Sequence, residues 1–218
     1  MFVVYGLPDV IEGIQLELTF LGGHAGGVGE GGECEERGNE NAGQLPEYLK
    51  EMNWDERYRR GEHVHDPALA FIERLTPAGE GRRALDIACG AGRHAVLMAG
   101  RGWQVTAVDY SEAALAMVHA RDARIETVLA DLEAGAFAIE PGAWNMICIS
   151  FYMQRSLFGA IREGLAPCGL LVAAFPLAGM RQEFLMEPGE LRGLFEEGFE
   201  ILHYAENGRA AELFARKL

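Results

Sequence analysis

From residue 82 onward, the chain switches repeatedly between runs of apolar residues and stretches with helical spacing. RRALDIA (82–88) and WQVTAVD (103–109) are short apolar runs, the first carrying Asp86 and the second ending on Asp109. Such runs, bounded by turn residues, predict buried strands. Between them, GRHAVLMAGRG (92–102) has helical spacing and stops at glycine. SEAALAMVHARDA (111–123) predicts a second helix: Ser111 is a natural N-cap and the alanine-rich interior favours helix. RIETVLAD (124–131) and AWNMICIS (143–150) predict two further strands. QRSLFGAIREGL (154–165) predicts a helix ended by APCG, followed by a strand at LLVAAF (170–175) and a short helix in PGELRGLFEEG (188–198). FEILHYAE and AELFARKL predict a closing strand pair across Asn207-Gly208. Upstream, HDPALAFIERL (65–75) predicts a helix with Asp66 as cap and Pro67 in its first turn.

Alternating β and α units force a largely parallel sheet with helices on both faces. The expected fold is therefore α/β and doubly wound, Rossmann-like. Its seven strands are mostly parallel, with an antiparallel strand at the C-terminal edge.

Composition separates the first fifty residues from this alternation. Residues 1–51 hold ten acids against Arg37 and Lys50, a net of −8 within a total of −14, and eleven of the 28 glycines. A Gly- and Glu-rich stretch of this kind cannot bury enough apolar surface to offset its ordering entropy. Residues 1–51 are expected to be an extension, disordered at 22–44, ahead of a domain at 52–218. The net charge argues against a nucleic-acid partner, which would select a basic face. No apolar run approaches the ~20 residues of a membrane span. Cys34, Cys89, Cys148 and Cys168 are scattered without a C-x-x-C pair. They read as free thiols in a reducing compartment, and the N-terminus lacks a basic leader, so the expected location is the cytoplasm.

The chemistry centres on GAGRHA, Gly90 to Ala95. This satisfies the dinucleotide fingerprint G-x-G-x-x-A, and Asp109 follows where a ribose-binding acid belongs. Glycines let the backbone approach a nucleoside cofactor, and the second acid can take both ribose hydroxyls. The turn alone is compatible with NAD or with S-adenosylmethionine. Three details favour the latter. Asp86 sits inside the first strand, where a dinucleotide enzyme has apolar residues; a helix precedes that strand; and too little chain follows Asp109 for a separate substrate domain.

Beyond the turn, LDIACGAGRHA, VTAVDYSEAAL, VLADLE, AWNMICIS with FYMQRS, LAPCGLLV and WDERYR together resemble the motifs of class I S-adenosylmethionine-dependent methyltransferases. The similarity covers about residues 52–218 and is strongest to small bacterial enzymes related to the tellurite-resistance and thiopurine methyltransferases. It implies roles residue by residue. Asp86 would anchor the methionine end of the cofactor, with Ala88, Gly90 and Gly92 as the floor beneath it. Asp109 would hold the ribose hydroxyls, Tyr110 would stack along the adenine, Asp131 would lie near the adenine amine, and Leu132 would pack on the ring. Phe151 would face the sulfonium, with Trp54, Arg57 and Tyr58 as a lid, for which packing of an N-terminal helix on the sheet is an equal alternative. Tyr152, Gln154 and Arg155, placed at the start of the helix after the fourth strand, are substrate-side candidates, with helix capping the alternative. The chain departs from the family at Ala88 (often glycine), at Asn145 (usually aspartate) and at Cys168, which replaces the first glycine of a turn.

The remaining candidates read as structural. His63 and His65 stand two apart without a third ligand, so a solvated loop is expected and no metal site. His94 is expected to pack without titrating, and Arg93 to lie on the surface or face a carboxylate. No general base stands out, which favours an ionised or soft nucleophile. The segment ISFYMQ lacks the Asn-Pro-Pro-Tyr of amino-methylating nucleic-acid enzymes. The expected activity is methyl transfer to a small molecule. The competing classes are a cofactor-binding sensor without turnover and an NAD-dependent oxidoreductase.

Overall fold

The computed structural model describes residues 54–64, 68, 69, 72, 75 and 82–218. All of them fall in one compact unit, Leu45–Leu218. The expected extension at 1–51, its boundary with the domain, His65, and the Asp66-capped helix start lie outside the described residues.

A short helix α1 (Trp54–Arg59) precedes the sheet. Then follow β1 (Arg83–Ile87), α2 (Arg93–Gly100), β2 (Gln104–Asp109), α3 (Glu112–Arg121), β3 (Glu126–Leu129) and β4 (Trp144–Ser150). The chain continues through α4 (Leu157–Gly164), β5 (Leu165–Pro176), α5 (Glu190–Leu194), β6 (Phe199–Glu206) and β7 (Ala210–Lys217). The seven strands form one sheet in the order β3-β2-β1-β4-β5-β7-β6. β1 to β5 pair in parallel, while β7 runs antiparallel to both β5 and β6. The antiparallel element predicted for the C-terminal edge is thus β7, inserted one place in, with β6 outermost.

Strand alternation distributes the core over both faces of the sheet. Leu85, Ile87, Ile147 and Ile149 pack with Leu157, Phe158 and Ile161 of α4. Their neighbours Ala84, Met146 and Cys148 face the opposite way, against Ala95 and Met98 of α2 and Leu115 and Val118 of α3. Burial on both faces explains why β1 and β4 read as unbroken apolar runs. Asp86 is the exception in that pattern: its position in β1 points it to the α2–α3 face.

Two local expectations are corrected. APCG does not separate a helix from a strand, because β5 begins at Leu165, directly after α4. The extra residues form a bulge: Trp144 pairs with Leu165, but Met146 pairs with Leu170. Cys168 sits in it at φ 60, the left-handed conformation that a glycine would adopt at no cost. Second, the helix after β4 begins at Leu157, not at residue 154. Phe151 turns into a left-handed conformation at φ 57, and the chain runs irregularly to Ser156. Tyr152, Gln154 and Arg155 therefore lie in a loop.

Candidate functional site

The sheet order reverses direction between β1 and β4, and the carboxyl ends of those strands open a crevice there, the usual ligand position in an open α/β sheet. The glycine turn occupies this point. Ala88 and Gly90 adopt φ 52 and φ 54, and Gly92 caps α2 at φ 79. Gly92 N–H donates to the Cys89 carbonyl at 3.0 Å, closing the turn. A Cβ on Gly92 would stand 2.6 Å from Val118 Cγ2, so the glycine also permits the close packing of the turn on α3. Arg121, in the last turn of α3, donates to the Ala91 carbonyl at 2.8 Å and to the Val64 carbonyl at 2.7 Å. It pins the turn to the segment that follows α1.

Two buried acids flank the turn. Asp109 ends β2 and accepts the Gly90 N–H on Oδ2 at 2.8 Å and the Ser111 N–H on Oδ1 at 2.9 Å. Burial raises its pKa, opposed by N–H donors from Ser111, Gly90 and Tyr110. Asp86 is 1% exposed. Burial pushes its carboxyl up to about 7, while the Arg93 charge, the Ala95 N–H and the Cys148 thiol pull the other way. Its Oδ2 is buried without a hydrogen-bond partner.

Asp86, His94 and Cys148 place one potential metal donor each within 4.8 Å of one another. The surroundings disfavour a divalent cation there. His94 Nε2 already accepts the Leu69 N–H at 3.2 Å, and Arg93 holds a positive charge against the cluster. Burial, aided by Arg93, drives the His94 pKa down to about 3, so the ring is neutral and packed.

Helix α1 closes one side of the site. Asp55 accepts from Ser111 Oγ at 2.7 Å and from the Ala113 N–H at 3.0 Å, reaching over to the first turn of α3. Trp54 N–H donates to the Tyr110 hydroxyl at 2.6 Å. The Tyr58 hydroxyl lies over Gly90, in the space a Cβ there would need. Burial first, then the negative Asp109, raises the Tyr58 pKa. Arg57 lies over the Trp54 ring, 4.2 Å from its centroid, and also bonds Glu62 and His63. His63 is thus half-buried in the turn that follows this helix, packed against Trp54 and Arg57, and not solvated as expected.

The other candidates gather at the far side. Tyr152 is half-buried, its pKa raised by burial and then by Glu133, Asp131 and Asp109, and its hydroxyl donates to Gln154 Oε1 at 2.7 Å. Gln154 Nε2 donates to the Leu132 carbonyl at 3.1 Å. Leu132 is buried in the core, and exposed Asp131 accepts the Glu133 and Ala134 N–H groups on Oδ1, capping the following turn. Phe151 holds its N–H on the Ala174 carbonyl at 2.8 Å. Tyr110 is 44% exposed. Arg155 stands apart: its guanidinium pairs with Glu190 through two bonds of 2.7 and 2.9 Å and donates to the Leu185 carbonyl. Around the glycine turn the structure brings together Ala88, Gly90, Gly92, Asp109 and Tyr58, whereas Arg155 ties its loop to α5.

Two participants carry no local signal in the sequence. Asp55 caps a helix 56 residues away, which no local signal announces. Cys148 faces Asp86 because β1 and β4 are neighbours in register. Arg93, expected on the surface or facing a carboxylate, bonds Ser150 Oγ at 3.2 Å and its charge acts on Asp86.

The family model for a methyltransferase domain matches residues 84–169. Over 60 residues, the chain is 51% identical to a ubiquinone biosynthesis O-methyltransferase of Alkalilimnicola ehrlichii, a match covering 27% of this chain and 24% of that enzyme's length. The fold is that of TehB from Haemophilus influenzae, with a TM-score of 0.61 and 19% identity over 75% of this chain and 67% of that one. A TehB-like S-adenosylmethionine-dependent methyltransferase from Corynebacterium glutamicum gives a TM-score of 0.52 and 17% identity over 78% and 96% of the two chains.

Proposed function

We propose, from the premise that residues 84–169 are a methyltransferase domain in a chain with the class I S-adenosylmethionine-dependent fold, that this protein transfers a methyl group from S-adenosylmethionine to a small-molecule acceptor. One observation carries the reading: a glycine turn at the sheet's switch point stands between two buried acids, and one of them, Asp86, keeps an unpartnered oxygen.

The residues fit such a cofactor. The cofactor supplies a methyl group on a sulfonium, already activated for in-line displacement. The backbone at Gly90 and Gly92 leaves room for the ligand to approach closely. Asp109 has about four acceptor positions, of which N–H groups of Gly90, Ser111 and Tyr110 use three. Asp109 would therefore hold a ribose diol by sharing or giving up the Gly90 bond. Tyr58 fills the space over Gly90 and would have to move aside for a ligand there. Tyr152 and Phe151 stand on the acceptor side of the crevice. Covering the crevice excludes water, and alignment of nucleophile, methyl carbon and sulfur can contribute roughly 7–11 kcal/mol.

Among the described crevice residues, His94 is neutral and buried, and the Tyr58 and Tyr152 hydroxyls are held protonated. These three are not suited to remove a proton at neutral pH, and Asp86, whose carboxyl is pushed up to about 7, would be occupied at the methionyl end of the cofactor. The acceptor is thus a small molecule that attacks as an anion or as a soft thiol or chalcogen centre. The acidic chain and its free cysteines favour the cytoplasm and disfavour nucleic-acid acceptors. No helix among the described residues is long and apolar enough to cross a membrane.

The test is a panel assay with methyl-labelled S-adenosylmethionine against thiolates, phenolates, carboxylates and chalcogen oxyanions, followed by mass spectrometry of the products. Label transfer to a member of the panel that is lost in Asp109→Ala supports the reading. Cofactor binding with no transfer to any acceptor class would favour a sensor.

A further inference from the structure

One acid of the sheet meets no opposite charge and no donor among the described residues. Glu212 lies in β7 between Ala211 and Leu213, both in the core that packs with α4. Strand alternation therefore turns Glu212 to the opposite face, the one that carries Cys148 of β4 and Met98 of α2. There it is half-buried, and burial raises its pKa. The other acids of the same strand pair are satisfied. Glu200 pairs with Arg216, and Glu206 accepts the Tyr204 hydroxyl and the Gly189 N–H. A carboxylate taken partly out of water without a partner costs free energy that a bound cation or N–H donor restores.

Strand register fixes where this carboxylate stands. Ser150, the last residue of β4, pairs with Ala174 of β5, and Ala174 pairs with Glu212. Residues paired in this way point to one face, so Ser150 and Glu212 stand two strand spacings apart, about 10 Å between Cα atoms. Ala174 contributes only a methyl group between them, and Ala205, opposite Glu212 on β6, contributes another. The carboxylate therefore has no tall neighbour on either side in its row. That row lies at the carboxyl ends of β4 and β5, on the acceptor side, where the Phe151 N–H donates to the Ala174 carbonyl at 2.8 Å. Arg93, the cation at the start of the row, is held on Ser150 Oγ at 3.2 Å and does not act on Glu212.

We propose that Glu212 binds a cationic nitrogen of the methyl acceptor, so that the protein selects acceptors carrying such a group beside their nucleophilic atom. This rests on the methyltransferase reading, and the experiment separates the two. The probes are cysteamine, a thiol with an ammonium group, and mercaptoethanol, the same chain ending in a neutral hydroxyl. Their binding to the full chain saturated with S-adenosylhomocysteine is measured by ligand-observed NMR, on the wild type, Glu212→Gln and Glu212→Asp. The wild type is expected to bind cysteamine about 5- to 20-fold more tightly, between the worth of an exposed ion pair and that of a desolvated charge-assisted bond. Glu212→Gln abolishes that preference, while mercaptoethanol and S-adenosylhomocysteine change by less than about twofold. Glu212→Asp, with the charge on a shorter arm, retains part of it. Equal affinity of the wild type for the two thiols, or binding of neither, overturns the proposal. A preference that survives in Glu212→Gln also overturns it, and places the attraction in the negative charge of the whole chain. Wild-type protein that does not bind S-adenosylhomocysteine overturns the methyltransferase reading itself. Should Glu212→Gln not fold, Glu212→Ala carries the same comparison.

Discussion

Replacing Asp86 by asparagine should change the pH dependence of stability in a defined direction. In the folded chain the carboxyl is pushed from an ordinary value of 3.8 to about 7, first by burial. At pH 5 or 6 the folded protein therefore holds a proton that the unfolded chain has released. The native state then binds more protons than the unfolded state, and stability falls as pH rises. This contribution is fully present below pH 3.8, is lost progressively up to about pH 7, and is flat above. At 1.36 kcal/mol per tenfold, the cost of holding the charged form at neutral pH reaches about 4 kcal/mol, an upper bound because water and side-chain relaxation reduce it. Asparagine keeps the shape and an oxygen that can accept the Ala95 N–H, and it cannot ionise. Its amide has its own unmet donors, so its absolute stability is not the readout. What matters is the difference between variant and wild type. Urea unfolding at pH 5, 6, 7 and 8 should show Asp86→Asn gaining on the wild type by about 2–3 kcal/mol across that range, the part of the total that falls above pH 5, with an unchanged m-value. A difference that does not vary with pH, or that moves against the variant at high pH, would refute the assignment of a strained buried acid.

Two other substitutions test the backbone geometry of the site and of its scaffold. Cys168→Gly removes a left-handed strain of about 1–2 kcal/mol and adds some unfolded-state entropy, so the melting temperature should rise by about 1–4 °C. An unchanged or lowered melting temperature would contradict the strain. Gly92→Ala combines a left-handed backbone with a Cβ 2.6 Å from Val118 Cγ2 and should cost about 2–4 kcal/mol in chemical denaturation. A loss under about 0.5 kcal/mol would mean that the turn and α3 are not held together as described.

Much of the fold was legible because its signals are local. β1, β2 and β4 are largely apolar runs, Ser111 caps α3 by accepting the Ala114 N–H at 3.1 Å, and Asn207 with Gly208 turns the last strand pair. The misplacements have equally physical origins. The helix after β4 starts late because Phe151 takes a left-handed turn that a phenylalanine does not announce. β5 starts early because the bulge around Cys168 hides inside a sequence that reads as a plain turn. In the site, Asp86, Asp109 and the glycines were readable from spacing. Cys148 was not, since it reaches Asp86 only through the pairing of β1 with β4, and Asp55 reaches the first turn of α3 from 56 residues away. Arg155 illustrates the converse. It sits at the right distance from the fourth strand for a substrate contact, yet its guanidinium is spent on Glu190, a residue 35 positions away.

The central claim is that the crevice between β1 and β4 binds the nucleoside and methionyl parts of S-adenosylmethionine. Calorimetric titration with S-adenosylhomocysteine, beside NAD as control and with Asp109→Ala as the disabled site, tests it most directly. The account predicts saturable one-to-one binding of S-adenosylhomocysteine, none of NAD, and loss of binding in Asp109→Ala. Indifference of the wild type to millimolar S-adenosylhomocysteine, or binding of NAD in its place, would contradict it.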